Sequence, residues 1–354
     1  MRKGIRSEMN CADRESSFTT NMGRRGVTWP VLVGLCLLLV AGCMYRSPGA
    51  LNEPDMSPPT DEQAKLAEDL KSDVIALSHG IGSRNAALTI KNVLRAERWI
   101  TGRLEALGLV PKRIAVEMGG AVVSNLEVTF PGNSLVDEVI VLGAHYDTEI
   151  GSPGANDNAS GVALLLATAD ALRKSRLDRT IRIVFFVNEE NPFSFGLQMG
   201  SRVYADQAEK RRDDIVAMVA VDSVGYFSNE PGSQRYPIFA LGLPSRGNFV
   251  AFGSNKQNIP LLDAITKKFQ ENSTFPSIGA ASDAKHMARG DHAPFWWRGY
   301  PAILMTDTSE YRDPNYHLPS DVFSNLNYPQ MARLTEGFIR TVEKLGNRST
   351  ELLR

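Results

Sequence analysis

The sequence predicts a three-layer α/β/α sandwich around a central mixed, mostly parallel sheet, and three observations predict it. Several short runs, 138–142, 181–187, 215–221 and 302–305, are apolar on both faces, as in strands buried from both sides. Helical periodicities follow most of them, so helices have a place on either face of the sheet. Each run also stops at, or is soon followed by, histidine or carboxylate residues, and open α/β sheets build their sites at the carboxyl ends of their strands.

The chain has 354 residues, enough for one large α/β domain or two ordinary ones. Residues 61–350 contain neither a clean linker nor an internal repeat, so one domain is expected there. A hydrophobic content of 43% supplies a sizeable core. The net charge of -1 gives no basic patch for nucleic acid and no acidic excess of the disordered kind.

Residues 1–43 read as a targeting segment. Arg24-Arg25 precede the apolar run Val27 to Gly42, which is short for a bilayer span and ends in Val40-Ala-Gly-Cys43. This resembles a bacterial lipoprotein signal, and the resemblance implies lipid attachment at Cys43. Met44 after that cysteine favours the outer membrane, facing the periplasm, by the same resemblance. Translation is expected to begin at Met22. Cys11, Cys36 and Cys43 all precede the domain, which leaves no disulfide within it. The Ser-, Pro- and Gly-containing residues 44–60 read as a flexible tether.

From Asp61 the elements follow in order. Leu66, Leu70, Val74 and Leu77 share one helical face, and Ala96, Ile100, Leu104 and Leu107 share another that stops at Gly108. His79, between them, reads as a satisfied histidine. Strands at 113–118 and 122–130 flank Gly119-Gly120, a hairpin turn. The run 138–142 leads to His145-Tyr-Asp147, and twelve positions after His145 comes Asp157 in the turn Gly154-Ala-Asn-Asp-Asn-Ala-Ser-Gly161. A helical face, Val162 to Leu172, begins there. The strand 181–187 ends in Asn188-Glu189-Glu190, and 215–221 ends in Asp222. Residues 227–258 are loop-rich around a short strand at 238–241. Downstream of 302–305 stands Tyr316-His317-Leu-Pro-Ser-Asp321, and Met331, Leu334, Phe338, Val342 and Leu345 form a last helical face.

Imidazole and carboxylate groups without thiolate suit zinc with positions left open for water and substrate. The set His145-x-Asp147, Asp157-Asn-x-Ser-Gly161, Glu189-Glu190, Asp222 and His317 resembles the zinc aminopeptidases of metallopeptidase family twenty-eight, a family that also holds glutamate carboxypeptidases and glutaminyl cyclases. The match covers roughly residues 60 to 345. The resemblance implies a phosphorylase/hydrolase-like sandwich holding two Zn²⁺ ions. In it Asp157 bridges both ions, His145 and Asp222 complete one site, Glu190 and His317 complete the other, and Asp147 orients His145. Glu189 is then the general base in the hydrolysis of N-terminal residues from peptides. A single-zinc glutaminyl cyclase, or a binding lipoprotein with an inactive site, are the alternatives. Arg289-Gly-Asp291-His292 resembles the family's Ser-Asp-His segment with Gly290 in the serine's place. Asp291 and His292 are expected to hydrogen-bond behind the ligands, or Asp291 to cap a helix. Asn191-Pro-Phe-Ser-Phe195 is an insertion relative to the family, and its Phe193 and Phe195 are candidates for a pocket wall. The sequence leaves His286, oligomeric state and side-chain preference unassigned.

Overall fold

The computed structural model describes residues 45–48, 55, 57–236 and 243–348. Cys43, Met22, the rest of the targeting segment and the expected strand at 238–241 lie outside the described residues. Among the described residues nine strands make one sheet: β1 Tyr45–Arg46, β2 Lys112–Glu117, β3 Val122–Phe130, β4 Leu135–His145, β5 Arg179–Phe186, β6 Asp214–Val221, β7 Val250–Ser254, β8 Ser277–Ala281 and β9 Ala302–Thr306. Their order across the sheet is β1-β8-β7-β9-β6-β4-β5-β3-β2.

The central strands β5, β4, β6 and β9 run parallel. They carry the runs without a polar face, and nearly every residue of β5, of β6 and of the second half of β4 is buried. Antiparallel pairs flank them: the β2–β3 hairpin joins β5, and β7 joins β9. Gly119 and Gly120 turn that hairpin with φ of 65° and 126°. Strand β2, at the sheet edge, alternates buried and exposed residues.

Two helical layers cover the sheet. On one face α1 (Asp61–Ile75), α2 (Ile90–Ala106), α3 (Gly161–Leu172), α5 (Ile259–Asn272) and α7 (Tyr328–Leu345) share one large apolar core. On the other, α4 (Gly200–Arg211) and α6 (Ala293–Trp297) close a smaller core of Val139, Val141, Phe186, Tyr204 and Phe295. Helix α1 starts at a capping box in which Thr60 and Gln63 satisfy each other's backbone N–H groups. Helix α7 starts at Asn327, whose side chain accepts from the N–H of Gln330, with Pro329 in its first turn. Helix α3 departs from the expected single face. Residues 161–166 are all buried, because the helix is apolar around its circumference and lies between the sheet and α7.

Residues 45–48 also differ from the expected loose tether. Tyr45 and Arg46 pair with Ala281 and Ala280 of β8, the Ser47 N–H donates to Gly279 O at 2.9 Å, and the Tyr45 hydroxyl donates to Asp263 Oδ2 at 2.6 Å. Strand β8 would otherwise present a bare edge, and an adjacent segment with a strand-forming tyrosine covers it. Asp55 and Ser57 are held to the sandwich by Arg333 of α7.

Candidate metal centre

Parallel strands bring their carboxyl ends to one side, and that side carries the site. His145 is the last residue of β4, Glu189 and Glu190 follow β5, and Asp222 follows β6. His317 comes from the loop after β9, in a left-handed backbone conformation with φ of 62°. Asp157 lies in the turn before α3, where its peptide bond to Asn158 is cis.

The residues around Asp157 explain the polar run of that turn. Asp321 receives the N–H groups of Asn156 and Asp157 on its two oxygens, at 2.8 and 3.1 Å. Asn158 donates to Val221 O at 2.8 Å and accepts from the N–H groups of Gly161 and Ser223. Asn156 donates to Asp307 at 3.0 Å and accepts from the Gly225 N–H at 2.8 Å. Both asparagines therefore tie the turn to the ends of β6 and β9, leaving the carboxylate between them free to face the site.

That carboxylate is shared. Its Oδ1 stands 3.2 Å from His145 Nε2, which is 3.5 Å from Asp222 Oδ1. Its Oδ2 stands 3.1 Å from His317 Nε2, which is 3.3 Å from Glu190 Oε2. Two ligands held about 2 Å from one ion at a tetrahedral angle are about 3.3 Å apart, so each half has the spacing of a zinc site. His145 Nε2, Asp157 Oδ1 and Glu190 Oε1 are buried without a hydrogen bond, a costly condition that a cation between them relieves. The residue types and the spacing fit a divalent metal.

The electrostatics point the same way. Burial opposes charge on His145 and His317, yet the neighbouring carboxylates raise both, His317 to about 11. The cluster thus draws protons onto its histidines. Asp157 is also disfavoured as an anion by burial, and the two imidazoles overcome this and hold it below the usual carboxylate range. Glu190 is pushed up to about 8 by burial and by Asp157. Burial raises Glu189 well above the ordinary range, with Glu190, Asp291 and Asp222 adding to the effect.

Asp147 does more than expected. Its backbone O meets His145 Nδ1 at 3.2 Å with Oδ1 at 3.6 Å, and its two carboxylate oxygens accept the N–H groups of Glu189 and Glu190, both at 3.1 Å. One carboxylate thereby fixes the strand end that presents both glutamates. Asp291 is buried, with burial raising it to about 7, and it does not cap α6, whose N-cap is His292. His292 Nε2 meets Met287 O at 2.8 Å, its ring packs edge-on against Trp296, and burial lowers it to about 4. Gly290 has φ of 108°, and a Cβ there would stand 3.3 Å from the His292 ring, which accounts for the missing serine.

A cleft of about 260 Å³ opens beside the cluster. Glu189, Glu190, Asp222 and His317 line one end, and Phe252, Ile278, Met287 and Leu304 supply apolar wall. Phe195 also borders the cleft, whereas Phe193 packs on the main core; His286 is at the wall. His79 is exposed and packs edge-on against Phe323, far from any ligand role.

Sequence reasoning missed Arg84. It is wholly buried and donates to the carbonyls of Leu77, Gly82, Tyr146, Pro153 and Gly154, joining the loop before α2 to the strand end and turn of the site. It sits among carbonyls far apart in sequence, so no local spacing announces it. Asp321 had a signal, four residues after His317, but no assigned role.

Comparisons with known proteins place the chain among relatives. A family model described as Peptidase family M28 matches residues 125–342. A protein of Escherichia coli strain K12 described as uncharacterized protein YfbL is 35% identical over 57% of this chain and 65% of its own length. The probable lipoprotein aminopeptidase LpqL of Mycobacterium tuberculosis is 31% identical over 53% of this chain and 39% of its own. The chain thus spans less than two thirds of either relative. Among solved structures, BSAP, a zinc aminopeptidase from Bacillus subtilis, superposes with a TM-score of 0.63 at 15% identity, covering 80% of this chain and 96% of that one. A Porphyromonas gingivalis glutaminyl cyclase gives 0.60 at 19%, covering 79% and 98%. These two likenesses establish the shared sandwich.

Proposed function

The chain belongs to peptidase family M28, and we propose that it is a metal-dependent aminopeptidase that removes N-terminal residues from peptides with two zinc ions. The observation that carries this reading is the Asp157 carboxylate, each oxygen of which faces a different histidine. His145 and Asp222 would hold one ion with Asp157, and His317 and Glu190 the other. Zinc so held polarises a peptide carbonyl and lowers the pKa of water toward ~7.

The chain's own residues supply the rest. Glu189 borders the cleft with a carboxylate oxygen within 4.8 Å of ligand atoms of His145 and Glu190, and its carboxylate takes the proton of the attacking water and returns it to the leaving amine. Asp147 sets the direction of Glu189 through the backbone. The apolar wall excludes water and accepts an apolar side chain. The name of the mycobacterial relative supports both the aminopeptidase reading and a lipid-anchored place in the bacterial envelope, which the residues before Cys43 also favour. Outer-membrane attachment facing the periplasm remains our proposal from Met44. Among the described residues no helix is long and apolar enough to cross a membrane.

Replacement of Glu189 by Gln tests the mechanism. Zinc content should stay near wild type while kcat on an aminoacyl chromogenic substrate falls by ~10²- to 10⁴-fold. Glu190→Gln should lose metal from one site as well. Full turnover in Glu189→Gln, or loss of metal from it while Glu190→Gln keeps both ions, contradicts the assignment.

A further inference from the structure

We propose that Glu149 is a positioning residue for His317, doing for the second histidine of the centre what a carboxylate beside Nδ1 does for the first; this rests on the two-metal reading above. The two halves of the cluster are built alike. His145 turns Nε2 to Asp157 Oδ1, its Nδ1 meets the backbone Asp147 O at 3.2 Å, and Asp147 Oδ1 stands at 3.6 Å from the same nitrogen. His317 turns Nε2 to Asp157 Oδ2 and has Glu149 Oε2 at 3.8 Å from Nδ1.

Glu149 is held for this task. Its Oε1 accepts the N–H of Ile150 at 2.9 Å, and that leaves Oε2 for the imidazole. Its loop is fixed on both sides, by the Thr148 N–H to Arg84 O at 3.2 Å and the Ser152 N–H to Glu149 O at 3.1 Å. The carboxylate is largely covered, with 19% of its side chain exposed, so solvent screens the pair only in part. His317 needs such a partner. It comes from a loop rather than a strand, with a left-handed backbone, and Tyr316 stacked on its ring restrains the ring plane without choosing which nitrogen carries the proton. An acceptor at Nδ1 keeps the proton there and leaves the Nε2 lone pair toward Asp157 and Glu190. Asp147 and Glu149 are two residues apart on the segment leaving β4, so one short stretch positions both histidines.

The test is zinc affinity, measured by chelator competition on the full chain, with turnover recorded separately. Glu149→Ala should weaken one of two zinc ions by about 10- to 100-fold and leave the other unchanged. Glu149→Gln, which can still accept from Nδ1, should lose less. In a His317→Ala background, Glu149→Ala should add nothing to the loss, since the effect passes through the imidazole. Wild-type affinity in Glu149→Ala overturns the proposal, as does equal weakening of both ions or an additive loss without His317. Equal losses in the Gln and Ala variants would make Glu149 a ligand and also overturn it. A wild-type chain that binds no zinc would instead sink the two-metal reading itself.

Discussion

At the scale of single residues, the site divides into groups whose role is local and groups whose role is distributed. His145, Glu190, Asp222 and Asp157 were legible in the sequence because each follows an apolar run or stands in a polar turn, and strand ends deliver side chains to one edge. Arg84 and Glu149 are not, because their partners are backbone groups or a ring brought close only by folding, and Asp321 stands in view without a role for the same reason. Arg84 gives the clearest stability prediction. Its guanidinium, lowered to about 10 by burial, remains charged at neutral pH and lies near Asp147, Asp321, Asp157 and Glu190. Arg84→Met would leave five carbonyls without that donor and the carboxylates without its charge. Urea unfolding should show a loss of about 3–5 kcal/mol, the cost of breaking a buried charge network; a loss under about 1 kcal/mol would contradict this role.

At the scale of elements, the two-sided apolar runs identified the four central strands, and their ends fell within a few residues of expectation. The periodicity of α3 reads as one apolar face, since periodicity alone does not separate a surface helix from one buried all round. Strand β1 is not legible in the sequence because two residues make too short a pattern, and its place is set by the exposed edge of β8. How β4 and β5 meet yields a second prediction. A Cβ on Gly143 would come within 2.2 Å of the Phe186 ring, which is itself packed edge-on against Tyr204 and Phe295. Gly143→Ala should therefore cost about 1–3 kcal/mol by overpacking. Because His145 is two residues further along the same strand, kcat should fall with it. Unchanged unfolding and turnover would show that the ring yields freely and that the strand end is not rigidly set.

At the scale of the whole molecule, the sequence carried the layer architecture but not the strand order. Alternating strand and helix patterns imply a sandwich, whereas the antiparallel joins of β7 to β9 and β3 to β5 depend on long-range pairing that no local window reports. The same scale includes the anchor. Cys43→Ser should leave an uncleaved or soluble precursor, and a variant that still fractionates with membranes at the lipid-modified mass would refute lipid attachment there. The central claim, that Asp157 is shared by two ions in a peptidase, is tested most directly by zinc analysis of the wild-type chain and of Asp157→Ala, made alongside assays on an aminoacyl chromogenic substrate and an N-terminal glutamine peptide. The account predicts close to two zinc ions and aminopeptidase turnover in the wild type, with both ions lost from Asp157→Ala. One tightly held zinc in the wild type, together with cyclisation of the glutamine peptide, would contradict it.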